Sequence, residues 1–330
     1  MPDRTLVEEL DQAIESVLAA LPGQGPDTKA AVVAELASLT RIAGYLQALP
    51  AEGFKTRLKT DLQRRAVMTI STSIGTVAPP GFRTITPFII HEKAPELVDF
   101  MKITFGAEEL KRNTSGEAYG FYSEVRIGDS VIMIGGGTAA RRGNLAAALH
   151  VYVDDCDAAY RRALAAGAVT LMGALGEPAD RPYGERSAFV EDAFGNYWYI
   201  ATRLASQPAP EPGLGTVLAH VHPAAARKYI DFLKRAFGAE EMAVVEHAGH
   251  VMHAAVRVGD AVLEMGEPSD RTGIPSNGFF LFVEDVEAAY ARALAAGATA
   301  IRPPDDIPYG LRSAIVKDPE GYLWWPARWK

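Results

Sequence analysis

"VYVDDCDAAYRRALAAGAVT", residues 151–170, returns as "LFVEDVEAAYARALAAGATA" at 281–300. Each copy begins with an apolar strand-like run, crosses acids suited to capping a helix, and continues with apolar residues at helical spacing. Gly167 and Gly297 then stop the helix where a left-handed residue is needed. The repeat extends outward on both sides: "FMKITFGAEEL" (100–110) recurs as "FLKRAFGAEEM" (232–242), and "RPYGERSAFVEDAFGNYW" (181–198) as "IPYGLRSAIVKDPEGYLW" (307–324). Two homologous halves follow, 82–204 and 215–330, joined by a linker at 205–214 whose "ASQPAPEPG" is too rich in proline for a helix or central strand.

Within each half, segments such as "TITPFII" (84–90) and "SVIMIGG" (130–136) alternate as strands do, and "ELVDFMKITF" (96–105) has helical periodicity. "DPEG" (318–321) carries a turn signature and should join two antiparallel strands. Each half therefore reads as strand, helix, strands, twice over: an α+β fold. Residues 1–78 differ in kind. Three amphipathic helices are expected there, and Leu6, Leu10, Ile14, Val17 and Leu21 form a stripe suited to packing on another helix or a second chain, so a homodimer is one expectation.

The 330 residues carry a net charge of -8 and a pI near 5.5, which argues against a nucleic-acid or anionic-membrane surface. No apolar run approaches the roughly 18 residues that span a bilayer, and the N-terminus lacks a secretion signal, so a cytoplasmic protein acting on a small molecule is expected. The single cysteine, Cys156, excludes a disulfide framework and reads as a helix-start residue.

The doubled "FGAEE", "AAY-x-RALAAGA" and "YG-x-RSA" motifs resemble the glyoxalase, bleomycin-resistance and extradiol-dioxygenase (vicinal oxygen chelate) superfamily over about three quarters of the chain, the N-terminal helices excluded. The resemblance implies two tandem domains of paired βαβββ units whose strands curl into cups. It says little about the reaction, since one fold hosts many chemistries. Metal-dependent members hold their ion with side chains from equivalent strand positions. These map here onto Thr86, Met133, Ala148 and Tyr199 in the first half, and onto Leu218, Glu264, Gly278 and Trp325 in the second. Only Glu264 is a ligand type. A slip of two residues keeps the same strand face and brings in His150, and His220 or His222.

The primary expectation is therefore a pocket that binds an organic small molecule without a metal or other cofactor, walled by Phe88, Met133, Tyr199, Phe280 and Trp325 with polar groups such as His150 and His253. The repeated Tyr183 with Arg186, and Tyr309 with Arg312, offer a ring and a cation for a planar anionic or aromatic ligand. Alternatively these arginines pair with local acids. An enzymatic alternative uses Glu264 with His220 and His222, as general base or as the two-His, one-carboxylate set for Zn, Mn or Fe, in a lyase, isomerase or dioxygenase step.

Overall fold

Four βαβββ units account for the computed structural model, which describes residues 78–330 apart from 114–119, 138–139, 141–142, 205–213, 269–273 and 308–309. The N-terminal helices expected from sequence lie outside the described residues, as does Tyr309. Unit one holds β1 (Ile85–Ile90), α1 (Ala94–Phe105), β2 (Glu108–Asn113), β3 (Tyr122–Ile127) and β4 (Ser130–Gly135). Unit two holds β5 (Ala148–Tyr152), α2 (Cys156–Ala165), the short β6 (Val169–Thr170) and β7 (Ala179–Arg181), β8 (Glu185–Glu191) and β9 (Tyr197–Arg203). The second half repeats this with β10 (Val217–Val221), α3 (Ala226–Phe237), β11 (Glu240–His247), β12 (His250–Val258) and β13 (Ala261–Met265), then β14 (Gly278–Phe282), α4 (Val286–Ala296), β15 (Thr299–Ile307), β16 (Leu311–Lys317) and β17 (Leu323–Trp329).

The repeated helices begin and end as their sequence requires. Asp155 and Asp285 cap α2 and α4 by accepting from the backbone N–H of Ala158 and Ala288. Gly297, at φ +115°, takes the left-handed position that closes α4. The acidic "DPEG" turn holds as well: Gly321 N–H donates to the Asp318 carbonyl, and the buried Asp318 carboxylate accepts from the Tyr229 hydroxyl and the Trp324 indole, each at 2.8 Å. Asp192 does the same for Trp198 in the first half.

Strand alternation divides the apolar residues between two kinds of core. Residues on one face pack on the helices within their own half: Ile89, Leu97, Ile132, Leu149, Trp198 and Ile200 form the core of the first, and Val221, Phe232, Leu263, Phe279 and Trp324 that of the second. The opposite faces pair across the halves. One sheet runs β15-β16-β17-β14-β1-β4-β3-β2, joining unit four to unit one; the other runs β11-β12-β13-β10-β5-β9-β8-β6, joining unit three to unit two. The seams are antiparallel, β1 against β14 and β5 against β10. Each cup is thus assembled from both halves, whereas each helix-backed core is built mainly from one, with Ile85 and Val217 crossing over.

Two matching turns fasten the halves. Asp260 accepts from the Thr84 amide at 2.8 Å, and Asp129 accepts from the Thr216 amide at 2.7 Å. The preceding glycines, Gly259 and Gly128, are left-handed at φ +59° and +58°. A Cβ on either would lie 2.2 Å from the threonine hydroxyl oxygen it faces.

Candidate functional site

The two cups have the same register and opposite chemistry. In the first sheet Phe88 lies beside Met133 and Phe280 beside Trp325. The equivalent pairs of the second sheet are His220 with Glu264 and His150 with Tyr199. Farther out, Leu311 beside Trp329 corresponds to Glu185 beside Arg203.

The first cup is filled. Phe88, Phe280 and Trp325 meet with ring centroids 5.2 to 5.8 Å apart. Met133 and Leu145 complete a buried cluster with them. Edge and stacked aromatic contacts of this kind contribute about 0.5–1.5 kcal/mol each beyond burial. Four of the five wall residues expected from sequence therefore form a packed core, and Tyr199 is separated from them in the other cup.

In the second cup the polar side chains converge on Glu264, which is 7% exposed. His150 Nδ1 lies 2.8 Å from its Oε2, His220 Nδ1 3.7 Å from the same oxygen, and His253 Nε2 3.8 Å from Oε1. On its far side His150 Nε2 is 3.6 Å from Glu185, whose other oxygen accepts from the Tyr152 hydroxyl at 2.8 Å. Glu264 and Glu185 sit on strands four places apart in the sheet order, so their shared approach to His150 requires the sheet to curl. His222 turns aside, its Nε2 2.7 Å from the Tyr199 hydroxyl oxygen.

These contacts set the charges. Burial works against an ionised Glu264, yet the charge and hydrogen bond of His150, aided by His220 and His253, hold its pKa well below 4.5. Burial likewise opposes a charged His150, but Glu264 and then Glu185 raise its pKa above 6.5. For His220 burial wins and its pKa is lowered, so the ring is neutral at pH 7. The cup therefore favours a charged Glu264, a proton on His150 and a neutral imidazole at His220, side by side.

Other sequence candidates fall elsewhere. Arg186 pairs with Asp157 of α2 and with Asp180; Arg312 pairs with Glu287 of α4 and with Asp306. Both guanidinium groups are spent on local acids outside the cups. Tyr183 is exposed, its hydroxyl 3.3 Å from that of Ser187. Cys156 is buried, donates to the Ile200 carbonyl, and has its thiol pushed up to about 12 by burial and then Asp157, so it is not a nucleophile at neutral pH. Residues not singled out from sequence are Glu185, Tyr152 and Arg203. The alternation of β5, β8 and β9 already placed them on the cup face, but nothing local marked them as convergent.

Residues 224–325 match the family model of the Glyoxalase/Bleomycin resistance protein/Dioxygenase superfamily. Over that stretch the chain is similar to this superfamily. Similar proteins include uncharacterised proteins of Mycobacterium bovis and Mycobacterium tuberculosis, each 29% identical over 145 residues, which make up 41% of this chain and 90% and 80% of theirs. Among solved structures, glyoxalase I from Zea mays is 14% identical, with 74% of this chain and 91% of that chain covered and a TM-score of 0.57. At that identity the likeness concerns the fold. Among the described residues no helix is long and apolar enough to cross a membrane.

Proposed function

We propose that the second cup binds an organic small molecule through its own side chains, with Glu264 as the fixed hydrogen-bond acceptor for a ligand hydroxyl, enol or amide. The observation that carries this reading is the buried 2.8 Å contact between His150 and Glu264. A carboxylate held so far below its ordinary pKa is a weak base. Proton transfer in this cup therefore falls to neutral His220, beside Glu264, rather than to Glu264 itself. The packed rings of the first cup support its reading as a structural partner that completes the second.

A metal-bound reading is favoured by one observation. The Nδ1 of His220 is buried without a hydrogen-bond partner, 3.7 Å from Glu264 Oε2. His150, His220 and Glu264 are the donor types that hold Fe(II), Mn(II) or Zn(II). As arranged they do not fit such an ion: among the described residues no three His, Cys, Asp or Glu side chains are grouped to hold one. His150 is directed into its contact with Glu264, in an environment that favours its protonated form, whereas a ligand imidazole must be neutral.

The deciding experiment is metal analysis of protein purified without chelator and then equilibrated with Fe(II), Mn(II) and Zn(II) in turn. No tightly retained metal is expected. Stoichiometric metal that is lost in Glu264→Gln would overturn the metal-free reading and establish the triad as ligands. Ligand binding is checked on the same pair of proteins by thermal shift, where a stabilising compound should lose its effect in Glu264→Gln.

A further inference from the structure

Arg203 is the last residue of β9 and shares the cup face with Tyr199. Its guanidinium lies over the Tyr152 ring, 4.0 Å from the centroid. Tyr152 is itself fixed, stacked on His150 with centroids 4.5 Å apart and donating its hydroxyl to Glu185. Arg203 is thus held two ring contacts from the His150–Glu264 pair, on a platform whose own freedom is already removed.

What sets this arginine apart is the absence of an acceptor. Among the described residues no carboxylate lies within 4.0 Å of Arg203 and no protein group accepts a hydrogen bond from it. Arg181, by contrast, donates to Ser187 and the Leu175 carbonyl, and Arg186 and Arg312 are ion-paired. Glu185, the nearest acid in register, is turned toward Tyr152 and His150 instead. Arg203 is half-buried. In the filled cup the equivalent position is Trp329. The cation therefore belongs with the polar side chains that distinguish the second cup.

Resting on the reading that the second cup binds a small molecule, we propose that its ligand is an organic acid whose carboxylate docks on Arg203 while a hydroxyl, enol or carbonyl end reaches Glu264 and His220. A guanidinium fork matches a carboxylate bidentately, and stacking on Tyr152 pre-orients it, so little freedom is lost on binding. The region between the two ends is lined by Tyr152 and His150, which suits a short planar body.

The test titrates the full chain with 4-hydroxybenzoate and 4-hydroxyphenylacetate, and with 4-hydroxybenzamide and 4-hydroxybenzyl alcohol as uncharged counterparts, by calorimetry. At least one of the two acids should bind more tightly than either uncharged compound by about tenfold or more. That acid should lose about tenfold or more of its affinity in Arg203→Gln and recover part of it in Arg203→Lys. Arg186→Gln, outside the cup, should leave it unchanged. Equal binding of charged and uncharged compounds, undiminished binding in a folded Arg203→Gln, or no binding of either acid at millimolar concentration would overturn the proposal. If binding is lost in Glu264→Gln but persists in Arg203→Gln, the cup reading stands and the anion assignment falls.

Discussion

Replacing His150 by Ala would leave the Glu264 carboxylate buried without its closest partner. Removing one member of a buried ion pair costs about 3–5 kcal/mol, because the remaining charge is uncompensated. The first cup supplies the control, since it carries Phe280 and Met133 at these positions. The double change His150→Phe with Glu264→Met should therefore be much less destabilising than His150→Ala, as denaturant unfolding would show. The pair also has a pH signature. Glu264, lowered in the folded state, contributes fully above about 4.5 and loses its contribution as acid protonates it. His150, raised in the folded state, contributes fully below about 6.5 and loses its contribution as alkali deprotonates it. The stability difference between the native chain and the double variant should accordingly shift most in favour of the native chain between about pH 4.5 and 6.5. A pH-independent difference would show that the pair is not ionised.

At the scale of elements, the Gly-Asp turns after β3 and β12 are where backbone conformation and contact coincide. Gly259→Ala places a left-handed alanine, costing about 1–2 kcal/mol, against the Thr84 side chain. Gly106→Ala is the matched control: φ is +66° but nothing lies within 4 Å of the added Cβ. Urea titration should find Gly259→Ala the more damaging of the two, the excess measuring the clash alone. Elements were the scale most legible in the sequence. The helix caps at Asp155 and Asp285 and the turn at Asp318 followed from local pattern. The depth of a side chain along a strand did not. Period two fixes which face Ala148 and His150 share, but the seam of β5 with β10 sets Ala148 level with His220 and Glu264, and His150, opposite Leu218, reaches Glu264 only through its side chain. His222 was misplaced for the same reason: one step beyond His220 on the same face, it reaches Tyr199 instead.

For the whole molecule, the decisive feature was hidden from any reading of one half at a time. The repeat identifies units but not which unit pairs with which, because the seam strands β1, β5, β10 and β14 present equivalent edges. Since each sheet crosses the halves, cutting the chain within 205–213 should yield two pieces that co-purify as a one-to-one complex when expressed together. Analytical ultracentrifugation of the separate pieces should show self-association, as their exposed seam edges seek partners. Two independent, well-behaved monomers would contradict the sheet order.

The cross-half seams carry a further consequence. If two separate copies of one such half paired through the same edges, twofold symmetry would make both cups identical, and any change in one would appear in the other. Covalent fusion removes that constraint. One cup can become a solid keystone of phenylalanine, tryptophan and methionine, while its twin, relieved of holding the pair together, accumulates charges that would weaken a core. The apolar side of this molecule is in that sense what permits the charged side.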